Sequence, residues 1–332
     1  MSKIYASLKS IGSYVPPRIM YSKEFETLVD TTEEWIIKRT GIEQRHIADS
    51  EIDCSDMGVS AAKSAIERSG LHSSQIDLIM CATISPDYLC MPSTACVIGD
   101  KLGLHGVPAF DISAACSGFI YLISIAKAYV EAGMYKNILI IGAEKLSSIT
   151  DFTDRSTCIL FGDGAGAAIV GATNDSSKRI IDVKIAADGA YKDFLITPGG
   201  GSKTPCSQAT VDNRLHYMKM KGNETFKLAV KTLANDVKEI LEKNGIPSSE
   251  VSYFIPHQAN KRIIKAVGDQ LSFNESQIVL TVQKYGNTSS ASIPMAIDEI
   301  YKEGKLKGGE LLLLDAFGGG LTWGSVLLYF NS

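Results

Sequence analysis

Three polar residues stand where apolar stretches give way to helix-like segments, and their types could perform nucleophilic chemistry. Cys116 lies between the apolar run 107–112 and a segment, 117–132, whose apolar residues recur at helical spacing. His257 follows another apolar stretch, and Asn287 lies in a turn that opens a further helical pattern. A thiol nucleophile, an imidazole and an orienting amide together form a set that cysteine enzymes use. Singly, each has an ordinary structural explanation, since free cysteines are commonly buried and asparagines commonly cap helices.

The position of Cys116 predicts an activated thiol. At a strand-to-helix turn, unpaired backbone N–H groups and the positive end of the helix dipole favour a thiolate over a thiol. A backbone N–H of the same turn could also stabilise an oxyanion on a bound thioester or amide. We therefore expect Cys116 to be partly ionised near neutral pH.

Composition narrows the class of protein without naming its chemistry. The 332 residues suffice for one large domain or two similar ones, and the net charge of −4 gives no reason to expect nucleic-acid or anionic-membrane binding. No signal peptide and no apolar run of about 18 residues is evident, which predicts a cytoplasmic protein that does not span a membrane. The seven cysteines are odd in number and lack a CxxC pair. We interpret them as reduced thiols, with neither disulfides nor a metal site.

Two halves of the chain echo each other in order and spacing. The stretch that begins at Gly70 resembles the one that begins at Gly245, and each leads from a helix-like segment into an apolar run. A second pair surrounds Gly133 and Gly304, at nearly the same offset along the chain. Matched order and offset favour a duplication over chance similarity.

The polar stretch 173–179 is the natural joint between the halves. We therefore predict one half at 1–172, which carries the cysteine, and another at 173–332, which carries the histidine and asparagine. Alternating strands and helices predict an α/β fold whose sheets are mainly parallel and buried between helical layers.

Glycine-rich stretches do not support a nucleotide site. Glycines 162, 164 and 166 do not match G-x-G-x-x-G, and their stretch runs into a strand rather than a helix. The run 317–320 lies between two strand-like segments and is typical of a hairpin turn. One of its glycines could also let a backbone N–H approach a substrate closely.

The ordered set Cys, His, Asn fits two reaction classes. A papain-type cysteine hydrolase orders the same residues, and the 141 positions from Cys116 to His257 suit that family. However, its C-G-S-C-W signature is absent, and a duplicated architecture does not suit its fold.

Four motifs together resemble the β-ketoacyl-acyl carrier protein synthase III family of the thiolase superfamily. They are Ala-Ala-Cys-Ser-Gly at 114–118, His-Gln-Ala-Asn at 257–260, Gly-Asn-Thr-Ser-Ser-Ala-Ser at 286–292 and Phe-Gly-Gly-Gly-Leu-Thr-Trp-Gly at 317–324. The resemblance extends from Ile11 to Leu327. An asparagine where elongating relatives carry a second histidine indicates the initiating branch, which is primed by CoA thioesters.

The resemblance implies a duplicated thiolase-like fold, layered α-β-α-β-α with two mixed, mainly parallel sheets. It implies decarboxylative condensation of an acyl-CoA primer, usually acetyl-CoA, with malonyl-acyl carrier protein through an acyl-cysteine, which starts type II fatty acid synthesis. It also implies a homodimer without a cofactor. A related enzyme of secondary metabolism, which primes alkylquinolones or polyketides, is the main alternative; a cysteine hydrolase and a catalytically silent partner subunit are remote ones.

By position, the resemblance assigns the catalytic roles. Cys116 is the acylated nucleophile, and His257 and Asn287 polarise the extender thioester during decarboxylation. The backbone N–H groups of Cys116 and Gly319 hold the oxyanion, and Phe317 lines a dry pocket beside the departing carboxylate.

The resemblance also implies a CoA site. Trp35 and Arg155 stack on the adenine, with Arg39 near the nucleotide, because a ring and a planar cation both stack on a base. Asn223 and Phe226 line the pantetheine tunnel.

Basic residues match the docking site for acyl carrier protein, an acidic partner. The main contact is Arg262, and further cations stand near it: Lys227, Lys261 and Lys265. Asp269 and Gln270 stand where many relatives carry lysines, so the docking patch differs in detail.

Primer choice rests on Met91. It stands where many relatives place a phenylalanine that reaches across the dimer interface to cap the acyl pocket, and a flexible thioether caps differently from a rigid ring. The region 188–217 could also reshape the entrance.

Overall fold

Apolar runs form the strands of two principal sheets in the computed structural model, which describes residues 3–331. Several strands are buried along their whole length because helices cover both faces of each sheet. The strands are β1 (Tyr5–Tyr14), β2 (Ile19–Tyr21), β3 (Gln44–His46), β4 (Leu78–Ala82), β5 (Ala109–Ile112), β6 (Asn137–Glu144), β7 (Gly164–Thr173), β8 (Ile180–Ala187), β9 (Leu195–Ile196), β10 (Lys219–Met220), β11 (Tyr253–Pro256), β12 (Leu311–Gly318) and β13 (Thr322–Tyr329).

The two principal sheets repeat one strand order. The first runs β1-β7-β6-β4-β5 and the second β8-β13-β12-β11. In both, the first two pairings are antiparallel and the third is parallel. The counterpart of β5 is reduced to an isolated parallel bridge between Phe254 and Ile278. A duplication of the halves 1–172 and 173–332 would produce such a repeated strand order, and the duplication and its boundary stay predictions.

The sheets are mixed, as expected, but parallel pairing does not predominate. Among the described strands of the two sheets, three of seven pairings are parallel and four are antiparallel. The reason is that β12 and β13 form a tight hairpin through the glycine run, and β7 and β13 each lie between two antiparallel neighbours. The expectation of mainly parallel sheets was wrong in this respect, whereas the hairpin turn at 317–320 is confirmed.

Helices form three layers around the two sheets. The outer faces carry α2 and α3 on one side and α7 and α8 on the other, while α4 and α10 lie between the sheets. The layers therefore follow the order α-β-α-β-α. The helices are α1 (Glu33–Thr40), α2 (Cys54–Ser69), α3 (Thr94–Lys101), α4 (Gly118–Glu131), α5 (Arg155–Cys158), α6 (Gln208–Asp212), α7 (Gly222–Asn244), α8 (Lys261–Gln270), α9 (Val282–Tyr285) and α10 (Ser292–Lys302).

The central layer supplies most of the core. Phe119, Leu122 and Ile123 of α4 are fully buried against both sheets, together with Ile293 and Ile297 of α10. Burial of each such side chain contributes roughly 1.5–3 kcal/mol to folding. This packing fixes the first turns of α4 and α10, which adjoin the candidate site.

Three features of the structure concern membrane spans, metal sites and disulfides. Within residues 3–331, no helix is both long and apolar enough to cross a membrane. The same residues contain no group of three or more His, Cys, Asp or Glu side chains placed to hold a metal ion. Each of the seven cysteines is a free thiol, and four of them, including Cys116, are buried.

Candidate active site

Cys116 lies in a short 3₁₀ turn, Ala115–Ser117, which leads directly into α4. The preceding residue, Ala115, has a φ of 45°, a left-handed conformation that is unfavourable for a residue with a side chain. Two hydrogen bonds hold the turn against the β12–β13 hairpin: Ser117 Oγ donates to Thr322 O at 2.9 Å, and Thr322 Oγ1 donates to Ala114 O at 2.8 Å. The thiol of Cys116 is therefore held on a rigid, strained support.

Burial dominates the ionisation of Cys116. Loss of contact with water raises the pKa of the thiol to about 12. The expectation of a partly ionised thiol is corrected by this burial, since the residue is 4% exposed. In the resting state Cys116 is a thiol, and its proton must leave as the nucleophile reacts.

His257 follows β11 and is held from both sides. Its backbone N donates to Asp315 O at 2.7 Å, and its Nδ1 lies 2.6 Å from Ser292 Oγ. Burial lowers the pKa of His257 to about 3, so the ring is neutral. Ser292 Oγ donates to no other acceptor among the described residues, so its proton serves Nδ1 and the ring proton sits on Nε2. A neutral histidine with a free Nε2–H is a hydrogen-bond donor.

Asn287 is fixed by its own turn. Its Oδ1 accepts a hydrogen bond from Ser289 N at 2.8 Å, its backbone N donates to Leu160 O at 2.9 Å, and its backbone O accepts from Gly162 N at 3.0 Å. Because Oδ1 is occupied, the amide presents Nδ2–H as its free group. Asn287 is thus a second oriented donor.

The three side chains line one cavity, together with mainly apolar neighbours. Phe317 and Phe226 belong to its wall, whereas the exposed Asn223 does not. The structure therefore brings together Cys116, His257, Asn287, Phe317 and Phe226 and leaves Asn223 outside. Sequence reasoning missed much of the apolar wall, namely Leu195, Met220, Leu233, Ile263 and Leu321, because nothing separates such residues from ordinary core.

The close approach of the glycine run to the nucleophile occurs at Gly318 rather than Gly319. A Cβ atom at Gly318 would lie 2.6 Å from Cys116 N, so this position requires glycine. Gly318 lines the cavity, and Gly319 lies next to it, where a Cβ would meet Leu195 O at 3.3 Å. The role of Gly319 N–H as an oxyanion donor stays a prediction.

Trp35 and two arginines form a separate surface cluster. The guanidinium carbons of Arg155 and Arg39 lie 5.2 Å and 5.7 Å from the ring centroid of Trp35, which is partly exposed. Thr32 caps α1 by accepting from Trp35 N, and Asn260 Nδ2 donates to Arg39 O, which connects α1 to the start of α8. The cluster thus has the planar groups that an adenine ring needs.

The predicted basic residues surround the same end of α8. Arg262 lies over the ring of Phe226, with 5.2 Å between guanidinium carbon and centroid. The four cations are exposed, namely Arg262, Lys227, Lys261 and Lys265. The two residues that depart from the family pattern, Asp269 and Gln270, are exposed as well. No acidic residue occupies the first turn of α8, although a helix N-terminus favours negative charge.

Met91 lies outside the cavity and is 80% exposed. The segment 85–93 is nevertheless anchored, because Asp87 Oδ1 accepts from Ser55 N at 2.9 Å. Within one chain, therefore, Met91 does not contribute to the pocket, and its role in capping the acyl pocket stays a prediction.

Two serines of the motif 286–292 hold the polar side chains of the site in place. Ser292 orients His257, and Ser289 orients Asn287. Glu144, the last residue of β6, is a further buried polar residue near this loop. Because it follows an apolar strand, nothing in the sequence pattern indicated a function for it. A hydroxyl-rich run beside a catalytic asparagine is the signal that could have drawn attention to it.

Comparison with known proteins agrees with this arrangement. Family models described as 3-Oxoacyl-[acyl-carrier-protein (ACP)] synthase III and its C-terminal domain match residues 110–189 and 241–330. A relative named Beta-ketoacyl-[acyl-carrier-protein] synthase III, from Sulfurovum sp. (strain NBC37-1), is 64% identical over 327 residues, 98% of this chain and 96% of the relative.

Solved structures give the same result. The crystal structure of 3-oxoacyl-[acyl-carrier-protein] synthase III from Aquifex aeolicus VF5 is 44% identical with a TM-score of 0.90, covering 98% of this chain and all of the other. The priming β-ketosynthase from the R1128 polyketide biosynthetic pathway is 34% identical with a TM-score of 0.91, covering 99% of this chain and 97% of the other. The chain therefore belongs to the β-ketoacyl-acyl carrier protein synthase III family of condensing acyltransferases.

Proposed function

We propose that this chain joins an acyl-CoA primer to malonyl-acyl carrier protein in the initiating condensation of fatty acid synthesis. The observation that carries the proposal is the cavity in which Cys116 faces two oriented donors, His257 and Asn287. A thiol beside two neutral donors suits acyl transfer followed by decarboxylation, because the donors stabilise an enolate without adding a charge.

The first half-reaction acylates Cys116. Its sulfur attacks the thioester carbonyl of the primer, the bond to the CoA sulfur breaks, and the proton of Cys116 passes to the departing CoA thiolate, which leaves as the free thiol. The high pKa of Cys116 makes proton transfer part of this step. Backbone N–H groups of Cys116 and Gly319 would hold the oxyanion as it forms.

The second half-reaction forms the carbon–carbon bond. The malonyl thioester loses CO₂, and its carbonyl oxygen accepts from His257 Nε2 and Asn287 Nδ2 as the enolate develops. The enolate carbon attacks the acyl-cysteine carbonyl, the bond to the cysteine sulfur breaks, and the thiolate takes up a proton. The apolar wall around Phe317 favours loss of the charged carboxylate.

Residues on the surface around the cavity could bind the two substrates. Trp35, Arg39 and Arg155 would hold the nucleotide of CoA, with Phe226 along the pantetheine arm and Asn223 near its rim. The cations at the start of α8 weaken that helix, since they lie at its positive end. An acidic carrier protein at this surface would explain their presence.

The finer assignments extend this proposal. The enzyme acts in the cytoplasm as a homodimer without a cofactor, and acetyl-CoA is its primer unless Met91 admits longer chains. Priming of a polyketide or alkylquinolone remains the alternative pathway. Fatty acid synthesis is favoured because the relative named for that family is 64% identical, whereas the polyketide-priming enzyme is 34% identical.

A two-step assay tests the proposal. Incubation with acetyl-CoA should add one acetyl group to Cys116, detected by mass spectrometry, and malonyl-acyl carrier protein should then release acetoacetyl-acyl carrier protein. Asn287→Ala should retain acylation and lower kcat for condensation by about 10²–10³-fold, because one oxyanion donor is lost.

The exposed Asn174, in the loop after β7, provides the matched control, and Asn174→Ala should leave both steps unchanged. Absence of an acyl-enzyme across a panel of acyl-CoA primers would contradict the proposal. Free acid as the only product would instead indicate a hydrolase. Equal loss of both half-reactions in Asn287→Ala would contradict the role of Asn287.

A further inference from the structure

A fully buried acid closes β6 behind the loop that carries Asn287. This acid, Glu144, is 0% exposed. Its Oε2 accepts three hydrogen bonds, from Ser85 Oγ at 2.6 Å, Ile84 N at 3.1 Å and Thr83 Oγ1 at 3.2 Å. One oxygen of the carboxyl group is thus a well-satisfied acceptor.

Among residues 3–331, no Lys, Arg or His side chain acts on this acid as a compensating charge. The adjacent Lys145 directs its ammonium elsewhere, to Ile52 O at 2.7 Å and Asp49 O at 3.1 Å. Burial raises the pKa of Glu144 above its usual range. An unpaired carboxylate is costly to bury, which favours the neutral form.

The other oxygen, Oε1, reveals where the proton lies. Ser290 Oγ is 2.8 Å from Ala82 O and 2.9 Å from Glu144 Oε1, yet a hydroxyl has one proton to donate. A carbonyl only accepts, so the serine proton serves Ala82. The contact between Ser290 Oγ and Oε1 is then a hydrogen bond only if Glu144 donates it. Ser290 N also approaches Oε1, but at 3.5 Å this is a weak contact that the oxygen of a protonated carboxyl can still accept. Both contacts are satisfied together by a protonated Glu144.

Ser290 occupies the seam between the two catalytic turns. A Cβ atom at Gly118, in the helix that follows Cys116, would lie 3.3 Å from Ser290 Cβ, and one at Gly142, in β6, would lie 2.5 Å from Ser290 O. Two glycines therefore let this serine sit close to both elements. The position of Ser290 determines how the loop of Asn287 rests against the turn of Cys116.

We propose that Glu144 is a positioning residue, held as a neutral carboxylic acid, which donates to Ser290 and seats the loop of Asn287 against the turn of Cys116. The kinetic side of this proposal rests on the function proposed above. As a neutral group, Glu144 orders the loop without placing a negative charge near the thiol or the enolate. An ionised Glu144 would further raise the pKa of Cys116.

Infrared difference spectroscopy tests the protonation state without any substrate. The spectrum of the wild-type protein minus that of Glu144→Gln should contain the carbonyl stretching band of a protonated carboxylic acid at pH 7, shifted in deuterated water. Glu299→Gln is the matched control, because Glu299 pairs with Lys284: burial acts to raise the pKa of this carboxyl, but the hydrogen bonds of Lys284 and Tyr285 leave it lowered. That substitution should remove carboxylate bands only. A carboxylate difference signal from Glu144→Gln would overturn the neutral state.

Kinetics test the positioning role. Glu144→Gln retains a donor for Ser290 and an acceptor for Ser85, so its kcat for condensation should stay within about threefold of the wild type. Glu144→Ala should lower kcat for condensation about 10–100-fold, as loss of outer hydrogen-bond partners does elsewhere, with little change in KM for malonyl-acyl carrier protein.

The outcomes separate the two proposals. Equal impairment of the Gln and Ala variants, with both folded, would mean that the charge is required and would overturn the inference. Unchanged condensation in Glu144→Ala would overturn the positioning role. If Asn287→Ala fails to affect condensation, the proposed function falls, while the infrared band still decides the state of Glu144.

Discussion

At the scale of single residues, the buried His257 makes the stability of the fold depend on pH. A charged imidazolium cannot be accommodated at His257, because burial lowers its pKa from 6.5 to about 3. A base whose pKa is depressed by folding contributes stability that is complete above the unfolded pKa and is lost as the pH falls toward the folded pKa. The relevant window therefore runs from about pH 6.5 down to about pH 3.

This shift predicts a specific difference between wild type and His257→Gln. The free energy of unfolding of the wild type relative to the variant should fall by about 1.4 kcal/mol per pH unit below 6.5, or about 2 kcal/mol by pH 5. Urea denaturation at pH 7.5 and pH 5 measures it. His105→Gln is the control, since that side chain is 76% exposed, and it should produce no comparable change. A pH-independent difference for His257→Gln would contradict the buried neutral state.

Sequence reasoning located the three polar residues that line the cavity but not the groups behind them. Cys116, His257 and Asn287 each follow a strand or open a helix, and such positions are visible in apolar patterns. The thiol state of Cys116 was mispredicted, because a helix start is visible in sequence and the depth of burial is not. Glu144 follows an apolar run, as many acids at strand ends do. Its proposed protonation state can therefore be inferred only from its hydrogen bonds.

At the scale of elements, an ion pair fastens the segment that precedes α7 to the loop before α5. Arg214 donates from Nε and one terminal nitrogen to the two oxygens of Asp151, at 2.8 Å and 2.7 Å. Asp151 is 2% exposed, and Arg214 beside it lowers its pKa. The fastened segment supplies Leu195 and Met220 to the cavity wall. This is the region 188–217 that was expected to shape the entrance.

We predict that Arg214→Met loosens this segment. Among the described residues, the loss leaves buried Asp151 with Lys219, at 3.4 Å, as its one remaining cationic hydrogen-bond partner. KM for the acyl-CoA primer should rise several-fold with a smaller change in kcat, and limited proteolysis within 188–217 should become faster.

Lys192→Met serves as the control, because Lys192 lies in the same segment and forms only an exposed pair with Asp193 at 3.7 Å. It should change neither KM nor proteolysis. An unchanged KM in Arg214→Met would mean that the ion pair does not shape the entrance.

The elements themselves were partly predictable. The helix after Cys116, the strand after Gly162 and the glycine hairpin follow from periodicity and turn residues. Strand direction does not, because β1 and β8 pair with strands far along the chain, and local patterns carry no information on such partners. For that reason the share of parallel pairing was overestimated.

At the scale of the whole molecule, one surface segment is unusually apolar. Tyr88, Leu89 and Met91 are 55%, 77% and 80% exposed, although Asp87 anchors their segment. Three neighbouring exposed apolar side chains are typical of an interaction surface. In the proposed homodimer this segment meets the partner, and Met91 reaches the acyl pocket of the other subunit.

The dimer predicts the behaviour of the double variant Leu89→Asp/Met91→Asp. Two carboxylates in an apolar interface are costly to bury, so the variant should sediment as a monomer at micromolar concentrations where the wild type is a dimer. Condensation should also fall, since each pocket then lacks its cap from the partner. Met134→Asp is the matched control, because Met134 is 60% exposed on another surface, and it should leave both mass and activity unchanged. A wild type that is monomeric and fully active would show that one chain completes its site without a second one.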